Sequence, residues 1–156
     1  MIRIVTDSAA DLTARDLEIP GVTVVPMGIT FADGTATVDD GSMTKDEFFT
    51  RLAEDSKLPR TSQPSPASFI ELFEEAADAG DEVIVITVAQ KLSGTYQCAS
   101  LAAAETDAKV YIIDSETATQ GEAIIAREAI RLREQGLSAS RIAAELETFK
   151  KRVRVV

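Results

Sequence analysis

The feature that most constrains the fold is a regular alternation of short β-branched runs with longer amphipathic segments. Three runs are almost continuously apolar and end in polar residues: 2–6 (IRIVT), 82–88 (EVIVITV) and 109–114 (KVYIID). Such runs are typical of parallel strands buried on both faces, and the longer segments are typical of crossover helices. The sequence therefore predicts an α/β fold, a mostly parallel β-sheet flanked by helices.

A fourth apolar run contains a proline. Residues 22–31 (VTVVPMGITF) have strand composition, but Pro26 has no N–H to give to a strand ladder. We therefore predict an edge strand or a bend there. The following ADGT, residues 32–35, predicts a hairpin-type turn into residues 36–40.

Helix starts are marked by capping residues. Thr44 and Glu47 have the spacing of a capping box, and Ser65 followed by Pro66 predicts an N-cap with proline in the first turn. We predict Ser93 as the N-cap of the next helix. Further helical patterns run to Gly136 and through residues 139–152.

Composition removes several classes of function. The 156 residues are enough for one domain with a substantial core, and 26 acidic against 16 basic residues give a net charge of -10 that opposes binding to nucleic acid. The chain has no histidine, so imidazole acid–base catalysis and histidine-ligated zinc are excluded. The single cysteine, Cys98, cannot form an internal disulfide.

Neither a signal-peptide pattern nor an apolar run of about 18 residues is present, so we expect a cytoplasmic protein without stable membrane insertion. The last four residues, 153–156 (VRVV), have strand composition, and no later segment covers them. An uncovered apolar strand favours aggregation, so we expect these residues to dock as a sheet edge or to begin a further unit.

Hydroxyl-rich clusters follow three of the strand-like runs, and a fourth cluster lies in a proline-rich loop. In open parallel sheets, ligands bind beyond the carboxyl ends of the strands, where helix N-termini also point. We therefore expect these clusters at one edge of the sheet. They are Thr6, Asp7 and Ser8; Ser93, Gly94 and Thr95; Asp114, Ser115, Thr117 and Thr119; and PRTSQPSP at residues 59–66.

These clusters supply hydrogen-bond donors but no obvious lysine of the kind that clamps the phosphates of a nucleotide. Gly94 allows close backbone approach to a ligand, and the N–H groups of a helix start attract an oxyanion. Thr61 and Ser62 add neutral hydroxyls, and the prolines around them reduce the entropy lost on binding. This chemistry suits a carboxylate or a single phosphate, and the GK[ST] of a P-loop is absent.

Other interpretations remain open at this point. Ser93 can be a helix cap alone, and Asp7 and Asp114 can be turn residues. Alternatively, the two strand-end aspartates can serve a magnesium-dependent phosphoryl-transfer or phosphate-ester enzyme, as metal ligand or nucleophile. A third interpretation is an acidic domain that docks on a basic partner protein.

The same segments resemble the DegV family of bacterial fatty-acid-binding proteins. The matching pieces, in family order, are IVTDSAADL, VVPMGITF, PRTSQPSP, LSGTYQCA and DSETATQG. The resemblance implies a Rossmann-like, three-layer N-terminal domain that binds a long-chain fatty acid against a second domain. It also implies a carrier without catalytic residues, metal or cofactor, which can present the acid to a fatty acid kinase.

Residue by residue, the resemblance implies that the hydroxyls of Thr61 and Ser62 meet the carboxylate and that Ser93 and Gly94 supply further donors. We predict a ligand-binding set and a supporting set behind it. The ligand-binding set is Thr61, Ser62, Ser93, Gly94 and Thr95, and the supporting set is Asp7, Ser8, Asp114 and Ser115.

The resemblance also sets expectations for the tunnel wall and the domain boundaries. Apolar residues of PMGITF are the expected wall of an acyl tunnel. Thr117, Thr119 and Ala123 depart from the serine and glycine usual in the family. We expect a lipid-binding domain at residues 1–152, with residues 153–156 beginning a second domain.

Overall fold

The structure, a computed structural model, describes residues 1–155 and contains a four-stranded parallel sheet. Numbered in chain order, its four strands are β1 (Ile2–Asp7), β2 (Val22–Val25), β6 (Glu82–Thr87) and β7 (Lys109–Asp114). They lie in the order β2-β1-β6-β7, and each neighbouring pair is parallel. The predicted α/β fold with a mostly parallel sheet is therefore confirmed.

Helices cover both faces of this sheet, which gives three layers. On one face Ile4, Ile84 and Ile86 pack against two C-terminal helices, and on the other Val83 and Val85 pack against two central helices. Because successive side chains of a strand point to opposite faces, the apolar runs fill both cores. The helices are α1 (Ala14–Leu17), α2 (Lys45–Glu54), α3 (Pro66–Asp78), α4 (Thr95–Ala104), α5 (Gln120–Glu134) and α6 (Ala139–Phe149).

A small antiparallel sheet lies beside the main one, in the order β4-β3-β5. Its strands are β3 (Gly28–Thr30), β4 (Ala36–Val38) and β5 (Arg60–Ser62). The expected break at Pro26 separates the edge strand β2 from β3, and the hairpin turn lies between β3 and β4. The prediction of a loop over residues 59–66 is wrong for β5. The sequence of β5 has no alternation of apolar and polar residues, and the strand forms because its residues pair with β3.

Two of the three predicted caps are confirmed. Thr44 and Glu47 form a reciprocal capping box, and the Ser65 hydroxyl accepts from the Ser68 N–H at 3.2 Å. Ser93 is not the N-cap, because its own N–H donates to the Ala89 carbonyl in the preceding turn. The helix starts one residue later, with Gly94 as N-cap.

The C-terminal segment ends in a 3₁₀ turn, Lys150–Arg152, and residues 153–155 form no strand within the described part of the chain. The strand predicted at 153–156 is therefore not formed over its first three residues, because the Val153 N–H closes the turn onto the Lys150 carbonyl. Residue 156 lies outside the described residues. The assignment of 153–156 to a second domain stays a prediction.

Across residues 1–155, none of the helices is long and apolar enough to cross a membrane.

A bidentate ion pair fixes α1 against α5. Asp16 accepts from Arg127 Nε at 3.0 Å and Nη2 at 2.8 Å, and this bonding lowers the pKa of Asp16 below its ordinary value. Because the Arg127 side chain is 38% exposed, solvent screens the pair and limits its contribution.

We expect Asp16→Asn to lower the free energy of unfolding by about 1 kcal/mol at pH 7. A depressed pKa stabilises the fold above the unfolded value of 3.8, and that stabilisation is lost as the pH falls further. The difference in the free energy of unfolding between variant and parent, measured with urea, should therefore shrink below pH 4. The exposed pair of Glu145 with Arg141 supplies a control, Glu145→Gln, which should change stability little.

Candidate functional site

A pocket of about 680 Å³ lies beyond the carboxyl ends of β1 and β6, where the small sheet and α2 approach the main sheet. This is the edge at which the sequence predicts a ligand. Its wall combines polar and apolar groups from six segments. They are Ser8, Ala9, Met27, Ile29, Asp39, Phe48, Pro59, Thr61, Ser62, Gln63, Val88, Leu92, Ser93 and Gly94.

Four of the five predicted ligand-binding residues line this pocket, namely Thr61, Ser62, Ser93 and Gly94. Thr61 and Ser62 lie on β5, opposite Ile29 and Gly28 of β3. Both side chains are exposed to solvent, and strand pairing fixes their backbone. The structure therefore brings the hydroxyls of the proline-rich segment to the turn before α4.

The Ser62 hydroxyl occupies the space beside Gly28. A Cβ added at Gly28 would lie 2.3 Å from the Ser62 hydroxyl oxygen, so a side chain there would make that hydroxyl rotate or shift.

The fifth predicted residue, Thr95, is placed behind the pocket. It is fully buried and is not among the lining residues. Its hydroxyl lies 2.9 Å from the Ser93 hydroxyl, and its N–H donates to Ser93 at 3.3 Å. Thr95 therefore orients Ser93 at the start of α4, where unpaired N–H groups favour an anion.

Gly94 and Gln63 are in close contact across the pocket. A Cβ added to Gly94 would lie 2.0 Å from Gln63 Oε1, so the absence of a side chain lets the Gln63 amide lie over the helix start. Gln63 belongs to the polar proline-rich segment but is not in the predicted ligand-binding set. Its role becomes visible only when β5 and α4 are brought together.

Asp7 supports two pieces of the pocket wall from beneath. It is fully buried, and its carboxylate accepts from the Ala9 N–H at 3.0 Å and from the Val88 N–H at 2.8 Å. Burial raises the pKa of Asp7, and these two hydrogen bonds oppose that rise. Ser8, predicted to support the site, lines the pocket itself and accepts from the Met27 N–H at 3.0 Å.

Asp114 and Ser115 do not line the pocket. The Asp114 carboxylate accepts from the Gln90 N–H at 3.1 Å and the Glu116 N–H at 2.9 Å. Ser115 donates to the Thr117 carbonyl at 3.1 Å. Both residues shape the turns that follow β6 and β7, so any effect on a ligand passes through those turns.

The apolar wall comes partly from residues that the sequence did not identify. Met27 and Ile29 of the PMGITF segment line the pocket as expected, whereas Phe31 is buried beneath Arg51, which lies 3.8 Å from its ring centre. Phe48 and Leu92 complete the wall. Neither has a local signal that distinguishes it from an ordinary helix or loop residue.

The pocket can hold an anion only through neutral donors. Over residues 1–155 the lining includes no lysine or arginine, and Asp39 is its single acidic side chain. The same described range has no cluster of three or more residues suited to bind a metal ion. Hydroxyls and a helix start at one end, with apolar side chains beside them, suit a small anionic head joined to an apolar body.

Comparison with known proteins points to one family. A protein-family model described as "uncharacterised protein, DegV family" matches residues 1–156. A DegV domain-containing protein of Staphylococcus aureus is 34% identical over 152 residues, which is 97% of this chain and 54% of the relative. The chain thus spans about half the length of the curated relatives it matches.

Solved structures agree in fold. A DegV family protein from Thermus thermophilus, described by its fatty acid binding, is 36% identical with a TM-score of 0.86 over 96% of this chain and 53% of its own. A stearic-acid-binding protein from Eubacterium ventriosum is 34% identical with a TM-score of 0.86, and the match covers 94% of this chain and 52% of that protein. DegV of Bacillus subtilis, described as a fatty acid binding protein, is 30% identical with a TM-score of 0.88, and the match covers 96% of this chain and 54% of that protein.

Proposed function

The chain belongs to the DegV family, and from that premise we propose that it binds the carboxylate end of a long-chain fatty acid as a carrier. The observation that supports this most is the convergence of Thr61, Ser62, Ser93 and Gly94 on one pocket with an apolar wall. Relatives of similar fold are described as fatty acid binding. About half of each of these relatives lies outside the match, and we propose that a second domain of that kind completes the carrier.

The arrangement assigns a task to each side of the pocket. The Thr61, Ser62 and Ser93 hydroxyls donate to the carboxylate, and the start of α4 adds its unpaired N–H groups. Met27 and Ile29 contact the first methylenes. Each methylene removed from water contributes about 0.8 kcal/mol, so most of the affinity comes from the apolar chain.

The second domain closes the pocket in this proposal. Leu92, at the rim of the pocket, is 70% exposed, and Leu58, next to the lining residue Pro59, is 78% exposed. Apolar side chains left in solvent beside a ligand site favour a covering surface. A closed carrier would then present the carboxylate to a fatty acid kinase, without chemistry of its own.

The magnesium-dependent enzyme is less well supported, because its two aspartates are already engaged. Both oxygens of Asp7 accept backbone N–H groups, and Asp114 accepts two more on one oxygen. Magnesium should therefore leave the melting temperature unchanged. A clear rise on adding magnesium would instead support the enzyme.

The first test is extraction of the purified chain with organic solvent, followed by mass spectrometry for stoichiometric fatty acid. The longer Thermus thermophilus relative, of which this chain covers 53%, is the control. Acid in both samples supports the proposal and shows that one domain retains the ligand. Acid in the control alone assigns closure of the pocket to the second domain, and acid in neither contradicts the proposal.

A second prediction concerns the contact of Gly94 with Gln63. Gly94→Ala should change stability little, because Gln63 can swing away, but should weaken fatty acid binding about threefold as the displaced amide enters the pocket. Gln63→Ala combined with Gly94→Ala removes the clash and should recover the affinity, measured by titration with a fluorescent fatty acid. Equal weakening in the single and double variants would contradict this steric account.

A further inference from the structure

Glu122 is a buried carboxyl group that the proposed binding site does not use. It lies in the first turn of α5, its side chain is fully buried, and neither of its oxygens has a hydrogen-bond donor among residues 1–155. Asp7, also a buried carboxyl group, lies at the end of β1, against which α5 packs, and burial together with the charge of Asp7 raises the pKa of Glu122. Two carboxylates cannot both stay ionised in such a place, because each destabilises the charge of the other.

The surroundings decide which partner holds the proton. Asp7 receives the N–H groups of Ala9 and Val88, whereas Glu122 receives none. Hydrogen bonds to an ionised carboxylate stabilise its charge, so the negative charge settles on Asp7. Glu122 then keeps its proton, and its carboxyl O–H donates a hydrogen bond to Asp7, whose oxygens each have a second lone pair.

Asp7 in turn fixes the inner wall of the pocket. Its two backbone partners, Ala9 and Val88, both line the pocket, and so does Ser8 between Asp7 and Ala9. These residues follow two different strands, β1 and β6. A change in the direction of the Asp7 carboxylate therefore moves both sides of the wall together.

We propose that Glu122 is a positioning residue for the ligand pocket, acting through a hydrogen bond that its carboxyl O–H donates to Asp7. The pair joins the start of α5 to the ends of β1 and β6, and this sets the spacing of Ala9 and Val88. The inference rests on the proposed function only for what the pocket binds. The arrangement of the pair itself is independent of the ligand.

The test compares two replacements of similar length in the chain without ligand. Glu122→Gln keeps an N–H donor toward Asp7, whereas Glu122→Met has none. Amide hydrogen exchange at Ala9 and Val88 is measured relative to that of Ile142, whose N–H donates to the carbonyl of Ser138 at the N-cap of α6. We expect relative exchange about tenfold faster in Glu122→Met and unchanged in Glu122→Gln and in the α5 control Glu128→Met.

Binding supplies the second readout. The dissociation constant for stearic acid should stay within about twofold of the parent in Glu122→Gln and rise about fivefold or more in Glu122→Met. If the parent itself binds no stearic acid, that result bears on the proposed function and on closure by a second domain, while the exchange measurement still decides the role of Glu122. Unchanged relative exchange in Glu122→Met, or an equal loss in both variants, would overturn the inference.

A further measurement covers the case in which Glu122→Met does not fold. Relative exchange at Ala9 and Val88 is then followed from pH 7 to 11 in the parent and in Glu122→Gln, because burial and the charge of Asp7 raise the pKa of Glu122 to about 10. The parent should lose protection as Glu122 loses its proton, and the glutamine variant should not. Identical profiles would overturn the inference.

Discussion

Ser93→Ala and Thr61→Ala should each weaken the binding of a long-chain fatty acid about tenfold or more in a two-domain form of the protein. Each variant removes one hydroxyl donor to an ionised carboxylate, an interaction that contributes about 1.5–3 kcal/mol. Ser93 stands at the start of α4 and Thr61 on β5, so the two donors come from different elements. Isothermal titration with a saturated fatty acid measures both effects.

Ser138→Ala is a closely matched control for Ser93→Ala. The Ser138 hydroxyl accepts from the Arg141 N–H at 3.3 Å, the same length as the bond from the Thr95 N–H to Ser93. Ser138 caps α6 and does not line the pocket, so its loss should lower stability slightly and leave affinity unchanged. Unchanged affinity in both Ser93→Ala and Thr61→Ala would contradict the assignment of the head-group site.

The main sheet could be predicted from the sequence because each of its central strands is apolar on both faces. The runs around Ile4 and Ile84 have that composition only because helices cover both sides of the sheet. β5 could not be predicted in this way. Its three exposed residues have no pattern of their own, and pairing with β3 decides their conformation.

The same distinction, between a local sequence pattern and a tertiary contact, separates the site residues that could be predicted from those that could not. Thr61, Ser62 and Ser93 could be found because hydroxyls beside prolines and helix starts have few structural uses in such numbers. Phe48 and Leu92 reach the pocket through tertiary packing, and Thr95 lies behind it because α4 begins one residue later than its sequence suggests. Glu122 was missed because a glutamate in the first turn of a helix normally interacts with the helix dipole in solvent.

The burial of Glu122 has a consequence for stability that depends on pH. Burial, followed by the charge of Asp7, raises the pKa of Glu122 from 4.5 to about 10. Between these values the folded chain binds a proton that the unfolded chain has released, so stability falls as the pH rises. Below pH 4.5 both states hold the proton, and the penalty disappears.

Glu122→Gln should therefore stabilise the fold at neutral pH. Glutamine donates to Asp7 without taking up a proton, so the variant avoids a cost that reaches about 3 kcal/mol at pH 7 and is near zero at pH 4.5. Urea unfolding at pH 4.5, 7 and 8.5 should show parent and variant diverging as the pH rises. The control Glu128→Gln should change stability in the opposite direction. Bonding to Arg131 lowers the pKa of Glu128, so loss of the Glu128 carboxylate destabilises the fold above pH 4.5. Parallel curves for the parent and Glu122→Gln would mean that Glu122 is ionised in the folded chain, and Asp7 would then need a different donor.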